Sequence, residues 1–287
     1  MRLEDARKLH QKKYREEFGC FLVEGEHLVL ELEKAARDLA AWRSSHLYVT
    51  EAYADWPGPF RKTVVTDRQM AQLADTQSPQ GILAVAPMVC PPATVSTTRT
   101  VYLHEIQDPG NLGTILRTLG WFGGFRCLLS PGSVDPFNPK VVRASMGAIF
   151  HVPLERDVPP ESLSTRFARI ACLDMQGRSI ADAGFRDFDC YVFGNEARGI
   201  PREALARWQG GLVQGRVSGE GQGVPGLRSV KCIVRYKYMS MSDAIQIQFR
   251  STPNPPEAPC PSECSTPSSP VTGSTPRPSS CGVMARS

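Results

Sequence analysis

The chain has 287 residues, enough for two ordinary domains, and it carries 33 Lys and Arg against 29 Asp and Glu. The resulting net charge of +4 is compatible with a nucleic-acid partner but does not specify one. No apolar run approaches the roughly 18–20 residues that a membrane-spanning helix requires, so we expect no membrane partner. The N-terminus contains Glu4 and Asp5 and no apolar core, which predicts neither a secretory signal nor a transit peptide. We therefore expect a cytoplasmic protein, with an organelle as the alternative location.

The nine cysteines predict reduced thiols rather than a disulfide framework or a metal centre. No two of them form a Cys-x-x-Cys pair, and Cys260 and Cys264 lie in a Pro/Ser-rich segment without a histidine. This usage is typical of a reducing compartment, and we expect no metal ion.

The first 87 residues have the pattern of a small α/β domain. Residues 1–18 mix six basic with four acidic side chains, which indicates a helix that is either simply solvated or in contact with RNA. An amphipathic helix is predicted from Gly25 to Ala36, and a shorter one near residues 68–74. Apolar runs predict four strands, at residues 21–24, 46–50, 63–66 and 81–86. Residues 88–99 are polar and contain proline, which indicates a linker.

Residues 100–209 have the alternating pattern of a second domain. An apolar run at residues 101–106 predicts a buried strand, and the turn Asp108-Pro109-Gly110 leads from it into a helix that carries Asn111 and Arg117. A turn with a short helix is predicted at 136–150. Three further strands are predicted, at residues 126–130, 170–173 and 190–193. Such alternation predicts a mostly parallel sheet, and open sheets of this kind bind ligands at the carboxyl ends of their strands.

The composition changes after residue 209. Residues 210–250 form a divergent segment, which is glycine-rich up to residue 226 and contains no functional motif. Residues 251–287 contain nine Pro and nine Ser, so they cannot bury enough apolar surface to fold and we expect them to be disordered.

Four sequence blocks occur in an order and at a spacing that together are specific. The first is Lys12-Lys13-Tyr14-Arg15 followed by Phe21-Leu22-Val23-Glu24-Gly25-Glu26. The other three are Asn111-Leu112-Gly113-Thr114-Ile115-Leu116-Arg117, Asn138-Pro139-Lys140-Val141-Val142-Arg143-Ala144-Ser145-Met146-Gly147-Ala148 and Phe193-Gly194-Asn195-Glu196-Ala197-Arg198-Gly199-Ile200. Residues 11–209 thereby resemble the SpoU/TrmH-type RNA 2′-O-ribose methyltransferases of the SPOUT superfamily, in the subgroup with an N-terminal substrate-binding domain.

The resemblance implies an α/β protein in two parts. Residues 1–87 would be a ribosomal-protein-like RNA-binding domain, and residues 100–209 a methyltransferase domain of the trefoil-knot type. It also implies S-adenosylmethionine as the cofactor and a homodimer whose site draws residues from both chains. The substrate would be a folded RNA, and the N-terminal domain favours ribosomal over transfer RNA.

The chemistry of such a reaction sets demands on the site. A ribose 2′-hydroxyl is a poor nucleophile, so the site must remove its proton and stabilise the charge that develops on its oxygen. The resemblance assigns the activating role to Arg117. Because a guanidinium stays protonated, we assign Arg117 to orientation and to stabilising an alkoxide or a phosphate. Asn111 is expected either to contact the RNA or to cap a turn. Glu196 is expected to anchor Arg117 or accept a proton. The alternative is a carboxylate near a helix N-terminus that the helix dipole stabilises and that has no catalytic role.

The remaining site residues follow from the same resemblance. The cofactor is expected to contact Leu173, Gly194, Glu196 and Gly199. The RNA is expected to contact Lys12, Lys13, Arg15, Lys140, Arg143 and Ser145, although a solvated basic face would give the same pattern for the charged members. Such contacts provide salt-dependent affinity that does not depend on sequence. His104 and His151 are given no catalytic role.

The chain departs from the family after Trp208. Relatives continue with an Ile-Pro-Met-like strand and a Ser-Leu-Asn-containing helix, which close the knot and line the adenine pocket. Here residues 211–220 contain no such pattern, so the knot would lack its closing segment. Two functions therefore stay open: an active methyltransferase, and an RNA-binding protein that has lost its cofactor pocket. A generic nucleotide-binding α/β enzyme is a third alternative, but it leaves the Lys12–Glu26 block unexplained.

Overall fold

A computed structural model describes residues 1–94, 97–179, 187–195, 197–201, 203 and 213–216. The predictions for Glu196, for residues 251–287 and for most of 210–250 lie outside these residues, as does much of the segment that would close the knot. Two sheets organise the described part, and each is built from the strands of one half of the chain. Within this part, no helix is long and apolar enough to cross a membrane.

The first sheet contains four strands in the order β1-β4-β2-β3. They span Cys20–Glu24 (β1), His46–Val49 (β2), Arg61–Val64 (β3) and Ile82–Pro87 (β4). β4 runs antiparallel to β1 and β2, and β2 runs parallel to β3. Four helices accompany this sheet: Leu3–Lys8 (α1), Lys12–Phe18 (α2), Glu26–Asp38 (α3) and Asp67–Leu73 (α4). The predicted N-terminal helix is thus two helices, and their junction separates Lys8 from Lys12.

Local sequence explains where these helices lie. α3 buries Leu28, Val29 and Leu32 on one face, which follows the helical repeat of its apolar residues. α4 begins at a capping box, because the Thr66 side chain accepts from the backbone N–H of Gln69 while the Gln69 side chain binds back to Thr66.

The second sheet contains six strands, all parallel, in the order β10-β8-β9-β5-β6-β7. They span Arg99–Leu103 (β5), Phe125–Leu129 (β6), Leu154–Glu155 (β7), Ile170–Ser179 (β8), Cys190–Phe193 (β9) and Val213–Arg216 (β10). Three helices accompany them: Pro109–Phe122 (α5), Pro139–Ala144 (α6) and Leu163–Arg166 (α7). The predicted α/β fold with a parallel sheet is confirmed. β10 lies beyond the 100–209 range predicted for the second domain.

A close helix contact places α6 against α5. A Cβ atom built on Gly113 of α5 would lie 2.4 Å from the Cβ of Ala144 and 2.8 Å from the carbonyl oxygen of Val141. Only glycine permits this approach, so the backbone of α5 at Gly113 packs directly against α6. α6 in turn presents Val142 to the core of the first sheet.

A segment of the second half of the chain completes the hydrophobic core of the first sheet, so the two halves do not meet only through a linker. Phe21 of β1 lies 4.8 Å from Phe137 between ring centroids, and Trp42 lies 5.4 Å from Phe150. All four rings are buried in one cluster together with Val142 and Ile149. The segment 137–150 therefore packs on the first sheet although it belongs in sequence to the second half.

Candidate functional site

Three loops meet at the carboxyl ends of the central strands of the second sheet. Leu103 of β5 pairs with Leu129 of β6 and with Phe193 of β9, so the chain leaves all three strands at the same level. Leu173 of β8 pairs with Phe193 and lies at this level too. This edge is where parallel sheets bind their ligands.

Asn195 closes the loop that follows β9. Its backbone N–H donates to the carbonyl of Gly199 at 3.0 Å, and the N–H of Gly199 donates back at 2.9 Å. Its side-chain oxygen accepts from the backbone N–H groups of Ala197 and Arg198, and its Nδ2 donates to the carbonyl of Glu105 at 2.7 Å. Asn195 is buried, so one side chain fixes both the shape of this loop and its distance from the loop after β5.

Two glycines form a cradle in the same loop. A Cβ built on Gly194 would lie 2.4 Å from the carbonyl carbon of Gly199, so the backbone there tolerates no side chain. Gly199 adopts a left-handed conformation, φ +68°, and a Cβ built on it would have no atom of the described residues within 4 Å. The backbone at Gly199 is thus open on one side and closely packed at Gly194. A planar group that needs backbone contacts fits beside such a surface.

Glu105 links the other two loops to this cradle. Its φ of +47° is in the left-handed region that side chains rarely adopt. Its N–H donates to Ser130 Oγ at 2.7 Å, and its carboxylate accepts from Arg198 Nη2 at 2.6 Å. The N–H of Val134 also donates to the carbonyl of Ile106 at 2.8 Å. The loops after β5, β6 and β9 are therefore joined into one framework.

His104, to which the sequence assigned no role, lies buried at this edge. Its backbone N–H donates to the carbonyl of Phe193 at 2.8 Å, and its side-chain Nδ1 has no hydrogen-bond partner among the described residues. Burial lowers the pKa of His104, and the nearby Arg198 lowers it further, against the opposing effect of Glu105. Burial thus favours the neutral form of this imidazole. The sequence could not single it out, because its burial depends on loops that are distant along the chain.

Asn111 and Arg117 occupy different parts of α5. Asp108 caps this helix by accepting from the backbone N–H of Asn111 at 2.7 Å, and Pro109 occupies the first turn, which places Asn111 next to the loop after β5. Arg117 lies six residues further on, about 9 Å along the axis and about 120° around it. Its side chain is exposed. A single chain thus brings Asn111, Leu173, Gly194 and Gly199 to one edge and leaves Arg117 on the outer surface of α5.

Three of the six predicted RNA contacts are exposed. Lys12 and Lys13 lie on the solvent side of α2, and Lys140 is exposed on α6. Their availability to a phosphate remains a prediction.

The prediction that Arg15 contacts RNA is wrong, because its side chain is buried. Its guanidinium donates to Asp135 Oδ2 at 2.8 and 2.6 Å and to the carbonyls of Leu9 and His10 at 2.8 Å. These bonds use four of the five guanidinium N–H groups, and the side chain is only 3% exposed. Arg15 instead joins α2 to the segment that follows β6.

Arg143 and Ser145 also have partners within the protein. Arg143 donates to Asp75 Oδ2 at 2.7 Å and lies 3.7 Å from Glu24, so it connects α6 to the first sheet and its neighbouring loop. Ser145 is fully buried, and its Oγ donates to the carbonyl of Val142 at 2.7 Å. The prediction that Ser145 contacts RNA is therefore wrong, because its side chain is inaccessible. Arg143 is 30% exposed, and its contact with RNA stays a prediction.

A cavity of about 440 Å³ lies at the other end of the second sheet. It opens beside the start of β6 and the end of α3, between Leu39, Phe125 and His151. None of the predicted site residues lines it. No group of three or more His, Cys, Asp or Glu that could hold a metal ion occurs in the part of the chain that the structure describes.

Two family models match the chain. Residues 98–218 match the model described as the SpoU rRNA methylase family, and residues 1–84 match that of an MRM3-like substrate-binding domain. The chain is also 29% identical over 214 residues to the 23S rRNA (guanosine(2553)-2′-O)-methyltransferase RlmP of Bacillus subtilis. That alignment covers 72% of this chain and 84% of the relative.

Solved structures give the same result. A putative RNA methyltransferase of the TrmH family from Porphyromonas gingivalis superposes with a TM-score of 0.66 at 28% identity, over 86% of this chain and 94% of that one. The AdoMet-bound rRNA methyltransferase of Sinorhizobium meliloti superposes with a TM-score of 0.63 at 24% identity, over 77% and 88% of the two chains, which supports the fold.

Proposed function

Since the chain belongs to the SpoU rRNA methylase family, we propose that it transfers a methyl group from S-adenosylmethionine to a ribose 2′-hydroxyl of ribosomal RNA. The observation that carries the proposal is the cradle at Gly194 and Gly199, at the edge where the sheet binds ligands. The relatives support the choice of substrate, because RlmP of Bacillus subtilis is named for 2′-O-methylation of 23S rRNA.

The residues present fit the cofactor. The open backbone at Gly199 can face an adenosine, the tight turn at Gly194 brings that backbone close, and Leu173 adds apolar surface from β8. Bound there, S-adenosylmethionine would supply a methyl group on a positively charged sulfur. Glu196, which lies outside the described residues, belongs to the same proposed contact set.

The chain's own side chains have two tasks. Arg117 supplies a guanidinium, which can stabilise negative charge on the ribose oxygen or orient a neighbouring phosphate. Asn111 is fixed by the cap at Asp108, and it can hold the RNA backbone near the start of α5. The role of both residues is positional and electrostatic.

A homodimer would complete this site. Arg117 and Trp121 lie four residues apart on α5, so they share one face, and Trp121 is 86% exposed. An exposed tryptophan beside the proposed activating residue is typical of a covered interface. We propose that a second copy covers this face, which would bring Arg117 of one chain to the cradle of the other. Light scattering on wild type and Trp121→Ser tests it: a dimer that becomes monomeric supports the proposal, and a monomeric wild type contradicts it.

The decisive experiment combines calorimetry with methyl transfer. Titration with S-adenosylmethionine should give micromolar binding, whereas absence of binding up to millimolar concentration would support a protein that only binds RNA. Arg117→Ala should abolish methyl transfer to unmodified ribosomal RNA and leave RNA binding within a few-fold. The matched control is Arg169→Ala, which removes an exposed arginine near the amino end of β8. Unchanged turnover in Arg117→Ala would remove this residue from the mechanism.

A further inference from the structure

The junction of α1 and α2 carries a surface that the proposed reaction does not use. The ten residues from Ala6 to Arg15 contain five Lys and Arg, one His and no acidic residue. Because Arg15 turns inward, the exposed charges are Arg7, Lys8, Lys12 and Lys13.

An aromatic pair lies among these charges. Tyr14 and Phe18 stack with ring centroids 6.1 Å apart and planes 19° from parallel, and both side chains are partly exposed. Lys8 Nζ lies 5.9 Å and Lys13 Nζ 5.7 Å from the centre of the Tyr14 ring. Lys8 and Lys12 also have acidic neighbours, Asp5 at 2.9 Å and Glu16 at 3.7 Å, in exposed pairs that contribute little and exchange easily. Long exposed lysine side chains can therefore turn from the ring to a phosphate.

Aromatic rings flanked by cations are the usual means of binding unpaired nucleotides. Each base offers a flat face to an aromatic side chain, while lysines neutralise the flanking phosphates. A fully paired duplex keeps its bases stacked on one another, so it cannot use the ring. Charge alone would bind both forms of RNA.

The surface is also held in a fixed position relative to the candidate site. Tyr14 precedes Arg15, whose guanidinium binds Asp135 through two hydrogen bonds. The residue before Asp135, Val134, donates to the carbonyl of Ile106 in the loop after β5. These hydrogen bonds connect α2, on which an RNA could rest, to the loop after β5.

From these observations we infer that Tyr14 is a stacking platform for an unpaired base of the RNA substrate, with Lys8, Lys12 and Lys13 on its phosphates. The inference rests on the proposed function and adds a requirement to it: the nucleotide bound at α2 must be unpaired. Tyr14 is then a determinant of substrate choice, separate from the residues that carry out methyl transfer.

The test uses the full chain and a fluorescein-labelled 12-nucleotide oligo(A), with a 12-base-pair RNA duplex as the comparison, in fluorescence anisotropy. Tyr14→Leu keeps an apolar side chain but removes the ring, and Tyr14→Phe is the matched control that keeps it. We expect Tyr14→Leu to weaken oligo(A) binding about fivefold or more, because fivefold corresponds to the smallest free energy usual for stacking one base on an aromatic ring. Binding by Tyr14→Phe should stay within twofold of the wild type. Binding of the duplex should change by less than twofold in both variants.

Charge is tested with a second pair of variants. Lys13→Gln should lower the slope of log affinity against log salt by about 0.7 for the single strand. Arg61→Gln removes the same charge from β3, at the far edge of the first sheet, and should leave the slope unchanged. Melting temperatures of all variants should lie close to that of the wild type, which separates binding from folding.

Three results would overturn the inference. They are unchanged oligo(A) binding in a folded Tyr14→Leu variant, equal losses in Tyr14→Leu and Tyr14→Phe, and equal losses for single strand and duplex. If this surface binds a protein partner and not RNA, oligo(A) binding should be unchanged in Tyr14→Leu, which is the first of these results. Failure of the proposed function looks different, because it would abolish binding of S-adenosylmethionine in the wild type while leaving the Tyr14 comparison intact.

Discussion

Replacing Arg15 by methionine tests whether the two halves of the chain are held together by a buried ion pair. The side chains of Arg15 and Asp135 are 3% and 5% exposed, and four hydrogen bonds use four of the five guanidinium N–H groups. Removing one partner of a buried ion pair costs about 3–5 kcal/mol. Without Arg15, the Asp135 carboxylate would keep only the N–H of Phe137 and the partly exposed Arg156, whose Nη1 lies 4.0 Å away. For a domain of this size, each kcal/mol lowers the melting temperature by about 2–4 °C. We therefore expect Arg15→Met to melt roughly 6–20 °C below the wild type by circular dichroism.

The same helix provides the control. Lys12→Met removes the ion pair between Lys12 and Glu16, whose side chains are 59% and 50% exposed, and it should cost only about 0.3–0.5 kcal/mol. The double variant Arg15→Met/Asp135→Leu should be more stable than Arg15→Met alone, because it buries no unpaired carboxylate. If Arg15→Met and Lys12→Met lower the melting temperature equally, the buried pair does not stabilise the fold and the reasoning fails.

Three further predictions follow from the site and the sheet. Gly194→Ala should weaken S-adenosylmethionine binding at least about tenfold in calorimetry, because the new Cβ collides with Gly199; unchanged affinity would place the cofactor elsewhere. Burial raises the pKa of the Cys127 thiol to about 12, so iodoacetamide at pH 8 should label the exposed Cys90 well before Cys127, as read by mass spectrometry; the reverse order would contradict the burial of Cys127. Hydrogen bonding from Arg166 lowers the pKa of Glu155, so this pair stabilises the fold above that pKa and the benefit is lost as pH falls through it. Arg166→Gln should therefore lower the melting temperature at pH 7 but not in strong acid, and an equal loss at both pH values would refute the electrostatic explanation.

Sequence patterns were sufficient for the elements with strong local signals. The predicted strand at residues 190–193 agrees with β9, and the amphipathic helix after Gly25 agrees with α3. The observed strand β3, Arg61–Val64, begins two residues before the predicted range of 63–66. All four of its side chains are exposed, so the sequence has no alternating pattern that would mark its ends. The two-residue strand β7 was missed, because pairing with β6 creates it and so short a segment has no periodicity of its own.

The site residues also fall into two groups: those that a local motif identifies, and those whose role depends on partners far away in the sequence. A resemblance in sequence placed Asn111, Gly194 and Gly199 in motifs, and the parallel register brings the loops that carry them to one edge. Arg15 was assigned to RNA because it stands in a basic run, and nothing within that run reveals a carboxylate 120 residues away. Asn195 was quoted in a motif but given no role, although its side chain makes the hydrogen bonds that shape the loop. Long-range partners decide such cases, and the sequence does not show them.

The contacts between the two halves bear directly on how an RNA could reach the site. Phe137 and Phe150 insert into the core of the first sheet, while Arg15 and Arg143 form ion pairs across the same boundary. Since an aromatic core and a buried ion pair both resist hinge motion, we expect the first sheet and the cradle loops to move as one body. An RNA held at α2 is then presented to the loop after β5 at a fixed distance, and binding at one place determines which ribose arrives at the other. Specificity in this arrangement depends on the rigidity of segment 135–150 as much as on any residue that touches RNA.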